Sequence, residues 1–326
     1  MRLVLRYGLL LLALFAISFA LPRALPGDPL ENLSSGGGQD SPIVLSPEAH
    51  SRLLAYYGLD RPLPVQMVNF LSSTLHGDLG FSISLNQPVS RLLADRWPWT
   101  GLLVVASLSL ATLAGSAAGL WAGFNSLRLR RLSAALVLIG SLPEFVVGIG
   151  LILAFGVLLP ILPMSGARTP FQACDGLTAI GCGIDGLAHA VLPILTLAIV
   201  QLPAFFLVMR AAVLGETGQG YIVAARARGV SERRIAVRHV GRNAILPVLT
   251  LLGLRLGLLL GGAVVVETLF AYPGIGALTY RAALARDFPV LQAVFLLGGI
   301  AILTLNAAAD LLRRALDPRL RQAAVR

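Results

Sequence analysis

Lysine is missing altogether: all 26 basic residues of this 326-residue chain are arginine. That excludes a phosphate-binding loop of the GxxxxGK[ST] type, whose lysine contacts the phosphates, and Schiff-base chemistry, which needs a lysine amine. An ATP-driven process would therefore have to use a nucleotide bound by another chain. Charge is also scarce, with 13% charged residues against 56% hydrophobic and a mean hydropathy of +0.80. A soluble domain averages about 25% charged residues, so most of this chain belongs in lipid. Cysteine is limited to Cys174 and Cys182, and the four histidines (50, 76, 189 and 239) lack metal-ligand spacing. No nucleophile–base constellation or paired carboxylates stand out. Neither catalytic residues nor a resident metal or cofactor is expected, and the chain is not read as an enzyme.

What the sequence does contain is a series of long apolar runs. The first, Tyr7 to Leu21, follows Arg2 and Arg6 and has no small-residue cleavage site after it, so it reads as an uncleaved span. Residues 26–98 are too polar to cross a bilayer and carry short helices, one of them opening at Ser46-Pro47-Glu48. Further runs cover Thr100 to Phe124, Leu132 to Leu159 with an interruption at Ser141 to Glu144, Gly186 to Met209, Leu246 to Leu269, and Val290 to Leu312. Each reaches the ~20 residues that a bilayer requires. The expected fold is an all-α integral membrane protein with six transmembrane helices. Its regions are a first span (1–25), an extracytoplasmic segment (26–98), a five-helix core (99–312) and a basic tail (313–326).

Charge distribution sets the expected orientation. Seventeen arginines fall at the two termini, in the turn 128–131 and between 210 and 242, while eight fall on the opposite side. Ten acidic residues, among them Asp60, Asp185 and Asp287, follow the opposite bias. The positive-inside rule then puts both termini and the stretch 213–245 in the cytoplasm. The net charge of +10 is thus explained by a membrane surface, and no nucleic-acid partner is expected. Cys174 and Cys182 fall in an outer loop, where oxidising conditions favour a disulfide; two free thiols or an adventitious metal site are the alternatives.

Between the fourth and fifth runs lies GYIVAARARGVSERRIAVRHVGRNAILP, residues 220–247, with a helix–turn–helix grammar. A short helix over Tyr221 to Arg228 carries Ala224, Ala225 and Ala227, and Gly229 can adopt the left-handed conformation that ends it. Ser231 stands at an N-cap position, with Glu232 in the next first turn. The second helix runs into the fifth span, placing His239, Asn243 and Pro247 four residues apart on one face. A plain solvated basic loop would fit this spacing as well.

The pattern Ala224-Ala225-x3-Gly229, followed by a Pro247-terminated apolar helix, resembles the cytoplasmic "EAA" coupling loop of ABC-importer permeases. The longer phrase YIVAARARGVSERRIAVRHVGRNAILPVLT resembles the version in the oligopeptide/dipeptide (and nickel) permease family. PGDP (26–29), GLDRPLPVQ (58–66) and GDLGFS (77–82) resemble the same family in the same order. Two departures from the generic motif, Val223 in place of its acidic residue and a longer distance from Gly229 to Pro247, are typical of the peptide branch. The resemblance implies a permease subunit of a bacterial inner-membrane importer of di- or oligopeptides. Its implied partners are a second homologous permease, two ATP-binding subunits carrying ATP and Mg, and an extracytoplasmic solute-binding protein. It also implies that Tyr221, Ala224, Ala225, Arg228, Gly229, His239, Asn243 and Pro247 couple to the ATPases. Import of nickel or a metal chelate by the same architecture is the alternative cargo.

Ionisable groups inside spans usually face protein or a water-filled path. Arg255, mid-way along the fifth run, is read either as the partner of Glu144 or as a pore-lining group, and Glu267 as a structural hydrogen-bonding residue near an interface, with all three kept as pore or gate candidates. Two other classes compete with the importer. An intramembrane enzyme would need paired carboxylates, Ser/Lys or HExxH inside spans, which are absent. A secondary transporter would need no coupling loop and would carry related broken-helix signals in its two halves.

Overall fold

The computed structural model describes residues 2–24, 46–124, 130–169, 179–260 and 263–316. Among these residues there is no strand, only one isolated bridge between Phe81 and Pro88. Helices account for nearly everything else, as the apolar composition requires: within a bilayer every backbone N–H and C=O must find its partner inside the segment.

Four helices are long and apolar enough to cross a membrane: Val89–Phe124, Gly181–Thr217, Glu232–Leu259 and Phe288–Ala308. A fifth crossing results if Ser133–Gly140 and Glu144–Leu158 are one span; they meet at a bend of 100°. The helix Tyr7–Arg23 is apolar but shorter. The break falls where Ser141-Leu142-Pro143 interrupts the third run, and Pro143, whose nitrogen lacks a proton, occupies the N-cap position of the following helix.

The chain divides into two compact units, residues 1–100 with 273–301 and residues 101–272 with 302–326. In the first unit, α1 (Arg2–Arg23), α2 (Pro47–Tyr56), α3 (Leu63–Leu75), the first part of α4 (Val89–Phe124), α12 (Ile275–Leu284) and the first part of α13 (Phe288–Leu316) come together. Ser46 caps α2 through its side chain, which accepts from the Ala49 N–H at 3.2 Å, as its position ahead of Pro47 predicts. The ring of Phe15 stacks on Phe70 at 5.0 Å, and the guanidinium of Arg23 lies 3.7 Å from the Phe19 ring centroid. Arg23 also donates twice to the Gln66 side chain (2.8 and 3.1 Å), fastening the end of α1 to α3. The unit's core is formed by Val89, Leu92 and Leu93 of α4, Ile275, Leu278 and Ala282 of α12, and Val290, Leu291 and Val294 of α13. Beside it lies Asp287, fully buried, whose Oδ2 accepts from Ser82 Oγ (2.6 Å), Ser84 Oγ (2.7 Å) and the Ser84 N–H (2.9 Å).

The second unit is built on α7 (Ala179–Thr217), against which α5 (Arg130–Gly140), α6 (Glu144–Ile152) and α10 (Gly241–Leu260) all pack. Small residues make the close approaches. Gly115, Gly119 and Gly123 recur every fourth residue on α4 and meet α7 along a line from Leu202 to Val213. A Cβ at Gly119 would lie 2.6 Å from the Phe206 carbonyl oxygen, so the two backbones touch there. This is the small-residue packing by which helices associate in lipid, where burial of apolar surface offers no advantage over contact with acyl chains. Gly140 likewise receives Pro203, and Gly148 receives Leu269.

Several boundaries differ from those expected from sequence. α4 begins at Val89 and α7 at Ala179, both ahead of their apolar runs, because a helix does not stop where lipid-grade composition stops. The expected fifth span, Leu246 to Leu269, is corrected: α10 closes at Leu260, and Val264–Leu269 is a separate short helix, α11. Gly261 and Gly262 lie outside the described residues, as do Cys174 and residues 317–326.

Candidate functional site

Helix α7 ends at Thr217, and Gln219, in extended conformation, starts the short helix α8 (Gly220–Ala227). Ile222 and Ala225 are fully buried, whereas Tyr221, Val223, Ala224 and Arg226 to Gly229 face outward. The alanine pair expected to meet a partner is therefore divided: Ala225 packs α8 onto its own chain, and Ala224 is on the free face.

Gly229 ends α8 as its residue type predicts. Its φ is +76°, its N–H donates to the Arg226 carbonyl at 2.9 Å, and the Val230 N–H donates to the Ala225 carbonyl at 3.2 Å. That pair of bonds is a Schellman closure, which satisfies carbonyls that the helix end would leave open. A Cβ at Gly229 would meet nothing within 4 Å, so the glycine is needed for its backbone conformation and not for space within this chain.

Ser231 takes the extended N-cap conformation, but its hydroxyl makes no capping bond. Its carbonyl accepts from the Arg234 and Ile235 N–H groups at 2.9 and 3.0 Å. Glu232, in the first turn of α9 (Glu232–Arg234), is held instead by Arg226, with two bonds of 2.7 and 3.2 Å across the turn. Helix α9 continues through a π-helical stretch, Ile235–Val240, into α10. In a regular helix, residues five apart point about 140° apart; the wider π turn lets both Ile235 and Val240 bury completely. Val240, Ala244 and Val248 then form the buried face, while Asn243 and Pro247 are exposed and His239 is half-buried on the other face.

Three polar side chains meet where α7, α8 and α10 converge. The Tyr221 hydroxyl donates to the Glu216 carboxylate, and the Asn243 carboxamide donates to the Tyr221 oxygen (3.0 Å) and to Glu216 Oε2 (3.4 Å). Sequence reasoning found Tyr221 and Asn243 but not Glu216, whose signal was only its place just past an apolar run. A groove of about 400 Å³ lies between Leu120, Trp121 and Phe124 of α4 and Glu232, Arg233 and Ala236. Arg228 folds back onto the Ala224 carbonyl at 3.3 Å.

The expected pore candidates lie on three different helices, α6, α10 and α11. Glu144, half-buried, begins α6 at the 100° bend, and Arg255, in α10, is near enough to act on it electrostatically without a direct ion pair. The Arg255 Nε is buried with no hydrogen-bond partner. Glu267 is fully buried in α11, and its backbone carbonyl accepts from the Tyr272 N–H at 2.7 Å. His189 sits within α7, bonded through Nδ1 to the Asp185 carbonyl at 2.9 Å, which suits a structural imidazole. Cys182 is disulfide-bonded. No cluster of metal-ligating side chains occurs among the described residues.

The chain is thus an apolar helical scaffold with several helices long enough to cross a membrane and a glycine-closed helix–turn–helix unit between α7 and α10. A family model described as binding-protein-dependent transport system inner membrane component matches residues 115–322, and the chain belongs to that family. The chain is 34% identical over 323 residues to the dipeptide transport system permease protein DppB of Escherichia coli K12, covering 94% of this chain and 93% of the relative. Similar coverage links it to the glutathione transport system permease protein GsiC of Escherichia coli O6:H1, at 34% identity with 94% of each chain covered. The di/tripeptide transport system permease protein DppB of Pseudomonas aeruginosa is 33% identical, with 97% of each chain covered. A solved structure of the MetNI methionine ABC transporter, in inward-facing conformation, shares the fold at a TM-score of 0.55 and 19% identity, covering 70% of this chain and 97% of the solved one.

Proposed function

We propose that this chain is a six-span permease subunit of an ABC importer that moves small peptides across the bacterial cytoplasmic membrane. In this reading α1, α4, the bent pair α5–α6, α7, the joined α9–α10 and α13 are the six crossings, both termini face the cytoplasm, and residues 26–98 lie outside. A second homologous permease completes the pathway. Two partner ATPases bind ATP and Mg, and an extracytoplasmic binding protein delivers cargo. The observation that carries the proposal is the free face of α8 at the Gly229 closure: a short helix of small residues, exposed between two apolar spans and fastened to the ends of both.

The mechanism follows from that attachment. Nucleotide-driven closure of the ATPases displaces α8 through contacts with Tyr221, Ala224, Arg228 and the turn at Gly229. Because α8 is tied to the end of α7 and the start of α10, its displacement is delivered to two spans, with His239, Asn243 and Pro247 on the exposed face of the second. Ala225 contributes by seating α8. Arg255 and Glu144, both near the bend of α5–α6, are the groups we assign to the translocation path, and a Cys174–Cys182 disulfide pins the outer loop. The named cargoes of the relatives, dipeptide, di/tripeptide and glutathione, favour a peptide over nickel or a chelate.

Vesicles containing the whole complex provide the test. Peptide uptake should require ATP and the binding protein and should stop with vanadate. Uptake that continues with vanadate and responds to an ion gradient would instead identify a secondary transporter.

A further inference from the structure

Glu216 has no part in the motif that drew attention to residues 220–247, yet its carboxylate is where three elements meet. It lies in the last turn of α7, accepts from Tyr221 in the first turn of α8, and accepts at 3.4 Å from Asn243, which also donates to Tyr221 at 3.0 Å. Tyr221 and Asn243 are 22 residues apart in the chain, and Glu216 is 27 from Asn243. Apart from this cluster, α8 is fixed by two fully buried side chains, Ile222 and Ala225, and by the exposed Arg226–Glu232 pair at its other end. Removing the clasp would leave α8 seated but free to rock about those two residues.

We infer that Glu216 is a positioning residue for energy coupling: its carboxylate clamps Tyr221 and Asn243, so that displacement of α8 moves the end of α7 and the start of α10 together. This rests on the coupling reading above. It predicts a defect in transmission, with docking and ATP binding unaffected. Without the clasp, ATPases still engage the exposed face of α8, but part of the displacement is lost in rocking. Glu216→Gln keeps an oxygen for the Tyr221 hydroxyl, so the clasp should survive in that variant.

The experiment uses the full complex in proteoliposomes with a radiolabelled dipeptide as probe, and measures uptake, ATP hydrolysis and the ATPase subunits recovered with the permease. Glu216→Ala and Tyr221→Phe should each lower peptide taken up per ATP hydrolysed by roughly threefold, about the effect of one exposed hydrogen bond. The double variant should be no worse than either single, and Glu216→Gln should restore the ratio. Ala224→Trp, on the free face of α8, is run in parallel. An unchanged ratio in Glu216→Ala while Ala224→Trp uncouples overturns the clasp and leaves the coupling loop standing. If Ala224→Trp has no effect, the loop reading fails and the clasp with it. Uptake and hydrolysis falling together with subunit recovery, at constant ratio, would make Glu216 merely structural and also overturn the inference.

Discussion

Gly119 and Gly101 lie in the same helix, α4, and adding one methyl group to each should have opposite effects. At Gly101 a Cβ would meet nothing within 4 Å. Alanine there removes the conformational entropy cost of glycine in a helix, a gain of about 0.5–1 kcal/mol. At Gly119 the same atom would sit 2.6 Å from the Phe206 carbonyl oxygen, 2.9 Å from Met209 Cβ and 3.1 Å from the Arg210 nitrogen. Two of those three atoms are backbone of α7, so no rotamer change can make room. The shortest distance is about 0.8 Å below the 3.4 Å of ordinary contact, and the helices must separate to relieve it. Overpacking of this kind costs about 1–3 kcal/mol, which exceeds the propensity gain. Separation would also loosen the neighbouring contacts at Gly115 and Gly123.

Gly119→Ala should therefore be less stable than wild type by about 1–2 kcal/mol, and Gly101→Ala equal to it or slightly more stable. The assay is thermal unfolding of the purified complex in detergent, followed by size-exclusion recovery of the intact assembly. Gly119→Leu extends the series and should prevent recovery of folded protein. If Gly119→Ala matched Gly101→Ala in midpoint temperature, α4 and α7 would not be in backbone contact, and the account of the second unit's packing would be wrong.

Ala224→Trp should leave the permease folded, because Ala224 is exposed in this chain, while lowering ATP-driven uptake at least tenfold in reconstituted vesicles; wild-type uptake would remove the proposed contact. Gly229→Trp should show the same uptake loss together with reduced stability, since φ of +76° strains any L side chain, and comparing the two variants in a melting assay separates surface from backbone effects. Arg255→Ala should abolish uptake with the complex intact, as judged by co-purification of the partner subunits, whereas loss of assembly would make Arg255 a packing residue. Asp287→Ala leaves the buried Ser82 hydroxyl without its acceptor and should cost about 1–3 kcal/mol, read as a lowered melting temperature, with Asp287→Asn milder.

What could be read from the chain alone was what depends on local composition. The apolar runs, the break at Pro143, the cap at Ser46 and the closure at Gly229 each follow from residue type and near neighbours. The start of α4 and both ends of α7 lie beyond their apolar runs because hydropathy reports where lipid is and carries no information about where a helix ends. The fifth run illustrates the reverse: α10 and α11 are separate helices within one apolar stretch, a division that hydropathy hides. Glu216, Asp287 and the Arg23–Gln66 clasp were not legible, since each depends on a partner brought close by tertiary packing. Ser82 and Asp287 are 205 residues apart in the chain. The spacing of Gly115, Gly119 and Gly123 was visible in the sequence, but nothing there showed that its counterpart is the Leu202 to Val213 face of α7.

The contrast between α7 and α8 gives the proposed mechanism its mechanical basis. Helix α7 is held along its length by backbone-close glycine contacts from α4, by α5 and α6, and by α10, so it resists bending and acts as a rigid strut. Helix α8 has two buried residues and an outward face of small and charged side chains, so it can be displaced without disturbing a core. A force applied to α8 then does not dissipate in α8 itself; it passes to whatever fastens it. Those fastenings are the Glu216–Tyr221–Asn243 cluster and the Arg226–Glu232 pair, one at each end of the short helix. Both are solvent-exposed, and of the two only the first reaches both α7 and α10. In the proposed mechanism it is therefore the link that couples displacement of α8 to both spans.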